Sequence, residues 1–124
     1  MLQLPPQSRI FLATAPVDFS KGIDALAAVC RQRLGDHPLE GAVYVFRNRS
    51  GTSLKRLIYD GQGYWMMIKR RSQGRFSWWP NSADARVPLS ARALMILTWN
   101  GNPERAQRAK DWRRVASGEA RLEA

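Results

Sequence analysis

The first apolar run lies within Arg9-Ile10-Phe11-Leu12-Ala13-Thr14, and these six residues predict a short strand. Pro16, Asp18, Ser20 and Gly22 then mark a turn into a helix. Ile23, Leu26, Ala27, Cys30 and Leu34 recur at i, i+3, i+4, i+7 and i+11, so a helix over about 22–34 has one apolar face. Asp18 or Ser20 is its expected cap, and Gly35 its expected stop. Cys30 falls on the apolar side, where a free thiol behaves as a small hydrophobe.

From Ala42 the pattern changes to that of strands. Ala42 to Arg47 is β-branched and aromatic, and Asn48-Arg49-Ser50-Gly51 reads as a hairpin turn. Leu54 to Tyr59, Tyr64 to Arg70 and Arg75 to Trp79 follow, separated by the turn formers Asp60 to Gly63 and Ser72 to Gly74. Close turns favour antiparallel neighbours, because parallel strands need long crossovers. Ser90 is placed to cap a second helix over about 91–99, which Gly101 and Pro103 end. The expected fold class is therefore α+β: an antiparallel β-meander of about five strands, with the helix 22–34 packed on one face and a second helix near 91–99. Residues 1–102 form the expected single domain. Residues 103–124, rich in Ala, Arg and Glu, form a basic C-terminal extension expected to be partly helical or frayed.

Composition narrows the class. At 124 residues and 44% hydrophobic, the chain has room for one packed domain and is too apolar for wholesale disorder. One Cys and one His exclude a disulfide framework and a Cys/His metal cluster within one chain, so neither metal nor cofactor is expected. The first residues lack the basic start and apolar run of a secretory signal, and no apolar stretch approaches the roughly 18 residues of a membrane span. A cytoplasmic location without membrane contact is expected.

The formal charge of +10 is concentrated rather than spread. Residues 1–46 carry four bases and four acids, and residues 93–124 six bases and four acids. Residues 47–92 carry ten bases and only two acids, Asp60 and Asp84, a net +8. A metal-dependent nuclease needs clustered carboxylates, which this basic segment lacks. Asp60 belongs to an Asp-Gly turn, and Asp18 and Asp24 flank a helix start. His37 lies beside Pro38 with no nucleophile motif near it, and Gly61-Gln62-Gly63 reads as a hairpin turn rather than a phosphate cradle. The chain is not expected to be an enzyme, and no catalytic residue is assigned.

Nucleic acid suits the pattern better. Long cations interleaved with Tyr44, Tyr59, Tyr64, Trp65, Phe76, Trp78 and Trp79 fit phosphate contact plus base stacking. The candidate contacts are Arg47, Arg49, Arg56, Lys69, Arg70, Arg71 and Arg75. Strand alternation puts Lys55 on one face and Arg56 on the other, so the bases divide between two sides. A second reading is a protein-interaction adaptor anchored by Trp78, Trp79, Trp99 or Trp112, since interface hot spots favour Trp and Arg. RNA binding ranks last, because no ribonucleoprotein motif is present.

Four segments in one order carry a family resemblance. They are Ser20 to Leu26, Val45 to Arg49, Tyr59 to Tyr64, and Lys69-Arg70 with Gly74-Arg75-Phe76. Over roughly residues 5 to 98 the chain resembles the TnpB family, the second-reading-frame accessory proteins of the bacterial insertion sequences numbered 66. The resemblance implies a mobile element with a separate, larger transposase, and an accessory role in transposition; that transposase is an expected partner, and DNA is expected from the basic segment 47–92 in this context. It carries over no catalytic residue. The family usually has Arg where Ser20 stands and Trp where Tyr59 stands. Phe76 to Pro80 is one residue longer than the family pattern, and in a strand that residue inverts the facing unless a bulge absorbs it.

Overall fold

A computed structural model describes residues 9–105. The first strand, β1 (Ile10–Ala13), leads through a loop into α1 (Ile23–Gln32). After a 3₁₀ turn at Pro38–Glu40, the chain returns as β2 (Val43–Arg47), parallel to β1, with Ile10 opposite Val43 and Leu12 opposite Val45. Strands β3 (Ser53–Tyr59) and β4 (Tyr64–Arg70) add successively in antiparallel pairing. The short β5 (Arg86–Pro88) pairs antiparallel with the other side of β1, and α2 (Ala91–Thr98) follows it. The sheet order is β4-β3-β2-β1-β5.

The α+β class holds, but the all-antiparallel meander does not. Residues 14–42 are long enough for a crossover, and they carry α1 across the sheet so that β1 and β2 run parallel. Nor is 75–79 a strand. Its aromatic residues lie on the sheet instead of in it: Phe76, Trp78 and Trp79 pack against the core of one face. The Trp79 indole N–H donates to the Ala13 carbonyl at 3.1 Å. A loop has no alternating register to preserve, so the extra residue near Trp79 inverts no strand. The fifth strand is Arg86-Val87-Pro88, whose proline is tolerated at a sheet edge.

Alternation along the strands divides the core between two faces. Ala13, Tyr44, Phe46 and Leu57 meet Leu26, Ala27, Cys30 and Leu34 from the α1 segment. On the opposite side Ile10, Leu12, Val43, Val45 and Leu54 meet Leu94 and Leu97 of α2. β2 is buried on both faces, which is why its sequence is nearly continuous in apolar residues.

The helix ends differ from expectation at α1. Its N-cap is Gly22, with no side-chain cap bond, because the Asp18 carboxylate accepts from the Ser20 N–H instead. Its end comes at Gln32, and Gly35 then takes the left-handed conformation (φ 67°) that lets the chain turn away. α2 does carry the expected cap, Ser90 Oγ accepting from the Ala93 N–H at 3.0 Å. Ser90→Ala is therefore expected to cost about 1 kcal/mol, read as a shift in the urea midpoint. An unchanged midpoint would show that the cap contributes nothing. Among the described residues, no helix is long and apolar enough to cross a membrane. The extension expected over 103–124 falls mostly outside the described residues, as does Trp112.

Candidate nucleic-acid interface

The β2–β3 turn is organised by Asn48. Its side-chain Oδ1 accepts from the Thr52 and Ser53 N–H groups at 2.9 and 3.1 Å, while its amide donates to Thr52 Oγ1. Gly51 completes the turn at φ 74°, a conformation that favours glycine. The turn also anchors the segment after β4. The Arg71 N–H donates to the Thr52 carbonyl at 2.9 Å, and the Phe76 N–H donates to the Gly51 carbonyl at 2.8 Å. Side chains from three separate stretches are thereby brought to one end of the sheet. Arg49 comes from the turn, Arg70 and Arg71 from the end of β4, and Arg75 from the following loop.

Arg49, Arg70 and Arg75 are exposed there. Arg71 is half-buried, its Nε donating to the Gln73 carbonyl and its guanidinium 5.9 Å from the Phe76 ring centre. Arg47 closes β2 at the same end, half-buried and 5.7 Å from the Trp79 ring centre. Its buried Nε has no hydrogen-bond partner among the described residues. Two groups that sequence reasoning missed stand near this end, Asp18 within reach of the Arg49 charge and Lys21 within reach of Asp18. Asp18 is held below the usual carboxylate range, first by hydrogen bonds from Ser20 and then by the charges of Lys21 and Arg49. Lys21 is exposed. Only their nearness to a helix start was visible in the sequence.

Two of the seven predicted contacts lie elsewhere. Arg56 is 9% exposed and reaches α2, donating to Thr98 Oγ1 at 2.7 Å. Burial pushes its pKa down. Lys69 projects on the same face, donating to the Thr98 carbonyl at 2.8 Å and lying 4.8 Å from the Trp99 ring centre. Their neighbour Lys55 is buried on the α1 face, where its ammonium donates to the Phe19 and Lys21 carbonyls. β3 thus uses its two consecutive cations to hold backbone and hydroxyl oxygens at opposite faces of the sheet.

Asp60 and Cys30 are occupied structurally. Asp60 sits in the β3–β4 turn, at the far end of β4 from Arg70. Its carboxylate accepts from the Gln62 and Gly63 N–H groups and from the Trp65 indole, and these bonds hold it below the usual range. Cys30 is fully buried, and burial pushes its thiol up to about 12. Among the described residues, no three His, Cys, Asp or Glu side chains gather where they would hold a metal.

The model of the IS66 Orf2-like proteins matches residues 8–108. An uncharacterized protein of Sinorhizobium fredii, y4hO, is 36% identical over 97 residues, covering 78% of this chain and 84% of the relative. A second from the same organism, y4jC, is 32% identical over 89 residues, covering 72% and 75%. No solved structure matches the chain. The family match takes in the Asn48 turn, all of the basic end and both helices, and by it the chain belongs to the IS66 Orf2-like family, accessory proteins of insertion sequences.

Proposed function

We propose that the chain assists transposition without catalysing it, by holding DNA against the basic end of its sheet while a separate transposase acts on the strands. The observation that carries this is the convergence of Arg49, Arg70 and Arg75, all exposed, on backbone fixed by the Asn48 turn. Guanidinium groups on a rigid turn suit phosphate oxygens, and a hairpin end can lie against a groove. Arg47 and Arg71 support the set from half-buried positions. Arg56 and Lys69 are left out of the contact surface, because both are engaged at Thr98.

The test is a fluorescence-anisotropy titration of duplex DNA in rising salt. Three phosphate contacts predict a log K against log[salt] slope of about −3. Arg49→Glu with Arg75→Glu is expected to weaken binding at least tenfold, by order of magnitude, and to flatten the slope by about 2. Affinity indifferent to both salt and the double reversal would remove the proposal. The adaptor reading retains Trp99, which is 77% exposed, whereas Trp78 and Trp79 are half-buried against the sheet. Capture of the transposase after nuclease treatment would favour that reading.

A further inference from the structure

β4 ends the sheet, with β3 on one side and, among the described residues, no strand on the other. Its backbone orientation follows from the pairing with β3. The Asp60 N–H donates to the Gly63 carbonyl, and the Arg71 N–H to the Thr52 carbonyl. In the same register Ile58 faces Trp65, Arg56 faces Met67 and Leu54 faces Lys69. Alternation therefore turns the peptide groups of Trp65, Met67 and Lys69 toward β3. Those of Tyr64, Met66, Ile68 and Arg70 point to the open side. Four residues in the middle of this edge, Trp65 to Ile68, are large and apolar, and Trp65 and Ile68 are 52% and 58% exposed. Long apolar edges of this kind template pairing with another strand.

We propose that β4 pairs antiparallel with β4 of a second copy of this chain, about a twofold axis at Met67, joining two sheets into one. The strand is self-complementary in this register. Tyr64 meets the partner's Arg70 and Met66 meets the partner's Ile68, so every outward peptide group of the strand finds a mate, about eight hydrogen bonds in all. Trp65 meets the partner's Lys69, and Met67 meets its own copy. Each cation therefore stands opposite an aromatic ring. Parallel in-register pairing would instead set Lys69 and Arg70 against their own copies, and like charges directly opposite are destabilising.

Trp99 adds a second argument. It is 77% exposed and its ring already lies beside Lys69, so the partner's Trp65, arriving opposite Lys69, comes next to it. One pairing thus covers Trp65, Ile68 and Trp99, three of the large apolar side chains left exposed. The Asp60 carboxylate is fixed at the Trp65 indole, 2.7 Å away, at the strand end that receives the basic end of the partner's β4. Arg70 belongs both to this interface and to the basic end, but the pairing is made by strand backbone and does not require DNA, and Arg49 and Arg75 lie outside it.

The test is disulfide trapping with the full chain, free of nucleic acid. A residue on the axis faces its own copy at a non-hydrogen-bonded pair, about 4.5 Å between Cα atoms, within reach of a disulfide. Oxidised Met67→Cys is expected to give a covalent dimer, and Trp65→Cys alone is not. A mixture of Trp65→Cys with Lys69→Cys is expected to give the mixed dimer. Native Cys30, fully buried, does not compete. In sedimentation equilibrium, Ile68→Pro is expected to raise the dimer dissociation constant at least tenfold, by order of magnitude, because each copy loses one outward donor while the β3 ladder stays intact. A chain that stays monomeric at about 100 μM would overturn the proposal, whatever covers the edge. Equal cross-linking at positions 65 and 67, or an Ile68→Pro dimer of unchanged affinity, would overturn it as well.

Discussion

Asp36→Ala is expected to destabilise the fold by about 2–3 kcal/mol, more than its place in a surface loop suggests. The carboxylate follows α1 and reaches two strands. Oδ2 accepts from the Tyr44 hydroxyl at 2.5 Å and from the Arg86 guanidinium at 2.6 Å, and Oδ1 accepts from the His37 N–H. It therefore ties the end of α1 to β2 and β5, which are separated by β1. Its side chain is 12% exposed and that of Arg86 34%, so the pair lies between a buried and a surface salt bridge and contributes less than a fully buried one. Alanine also leaves the fully buried Tyr44 without its acceptor. Burial by itself would raise the Asp36 pKa, but hydrogen bonds from Tyr44 and the His37 N–H and the charge of Arg86 outweigh it and hold the carboxyl below the usual range. A depressed folded pKa contributes stability above the unfolded value, about 4, and loses it as pH falls through the folded value. The difference between wild type and Asp36→Ala in urea unfolding should shrink from about pH 7 to about pH 3. Asp36→Asn keeps an acceptor for Tyr44 and should cost less. A pH-independent difference would show that the charge plays no part.

The network at Asp36 also marks where the sequence stops being informative. The apolar face of α1 was legible because Ile23, Leu26, Ala27 and Cys30 lie within a few turns of one another, and local spacing reports local geometry. The parallel pairing of β1 with β2 was not. The short-turn argument holds for β2 to β4, but it is silent about a connection as long as residues 14–42. Aromatic residues in a loop packed on a sheet have the composition of a strand, and Phe76 to Trp79 illustrates the confusion. In the site the same division recurs. The charge excess and the Asn48 turn were visible, and three exposed arginines do gather there. The fates of Lys55 and Arg56 were not, because their partners at Phe19 and Thr98 lie 36 and 42 residues away along the chain. A cation in a strand reads as surface until an oxygen from a distant segment is known to meet it.

Phe46→Ala is expected to have the largest effect of any single change considered, about 3–5 kcal/mol. Phe46 is fully buried on β2, the middle strand of the sheet, in the cluster formed with Leu26, Cys30 and Leu57. β1 and β3 flank it in the sheet and α1 covers it, so backbone on both sides limits how far the site can collapse into the space left by the ring. That constraint puts it among the costlier truncations, since the penalty grows with the cavity that remains. Phe46→Leu, which keeps most of the volume, should cost only about 1 kcal/mol. Trp99→Ala removes a larger ring but one that is 77% exposed, and the folded monomer should lose less than about 0.5 kcal/mol. Urea unfolding of the three variants at low protein concentration tests the ordering, and a Trp99 effect equal to that of Phe46 would contradict it. Phe46 also bears on the basic end without belonging to it. The Arg47 carbonyl accepts from the Val17 N–H, so β2 holds the loop carrying Asp18 beside the Asn48 turn. DNA affinity of Phe46→Leu, measured where the variant is still folded, should therefore match wild type, whereas the arginine reversals lose affinity without losing stability. A leucine variant that stays folded yet fails to bind would show that the basic end depends on the packing beneath β2.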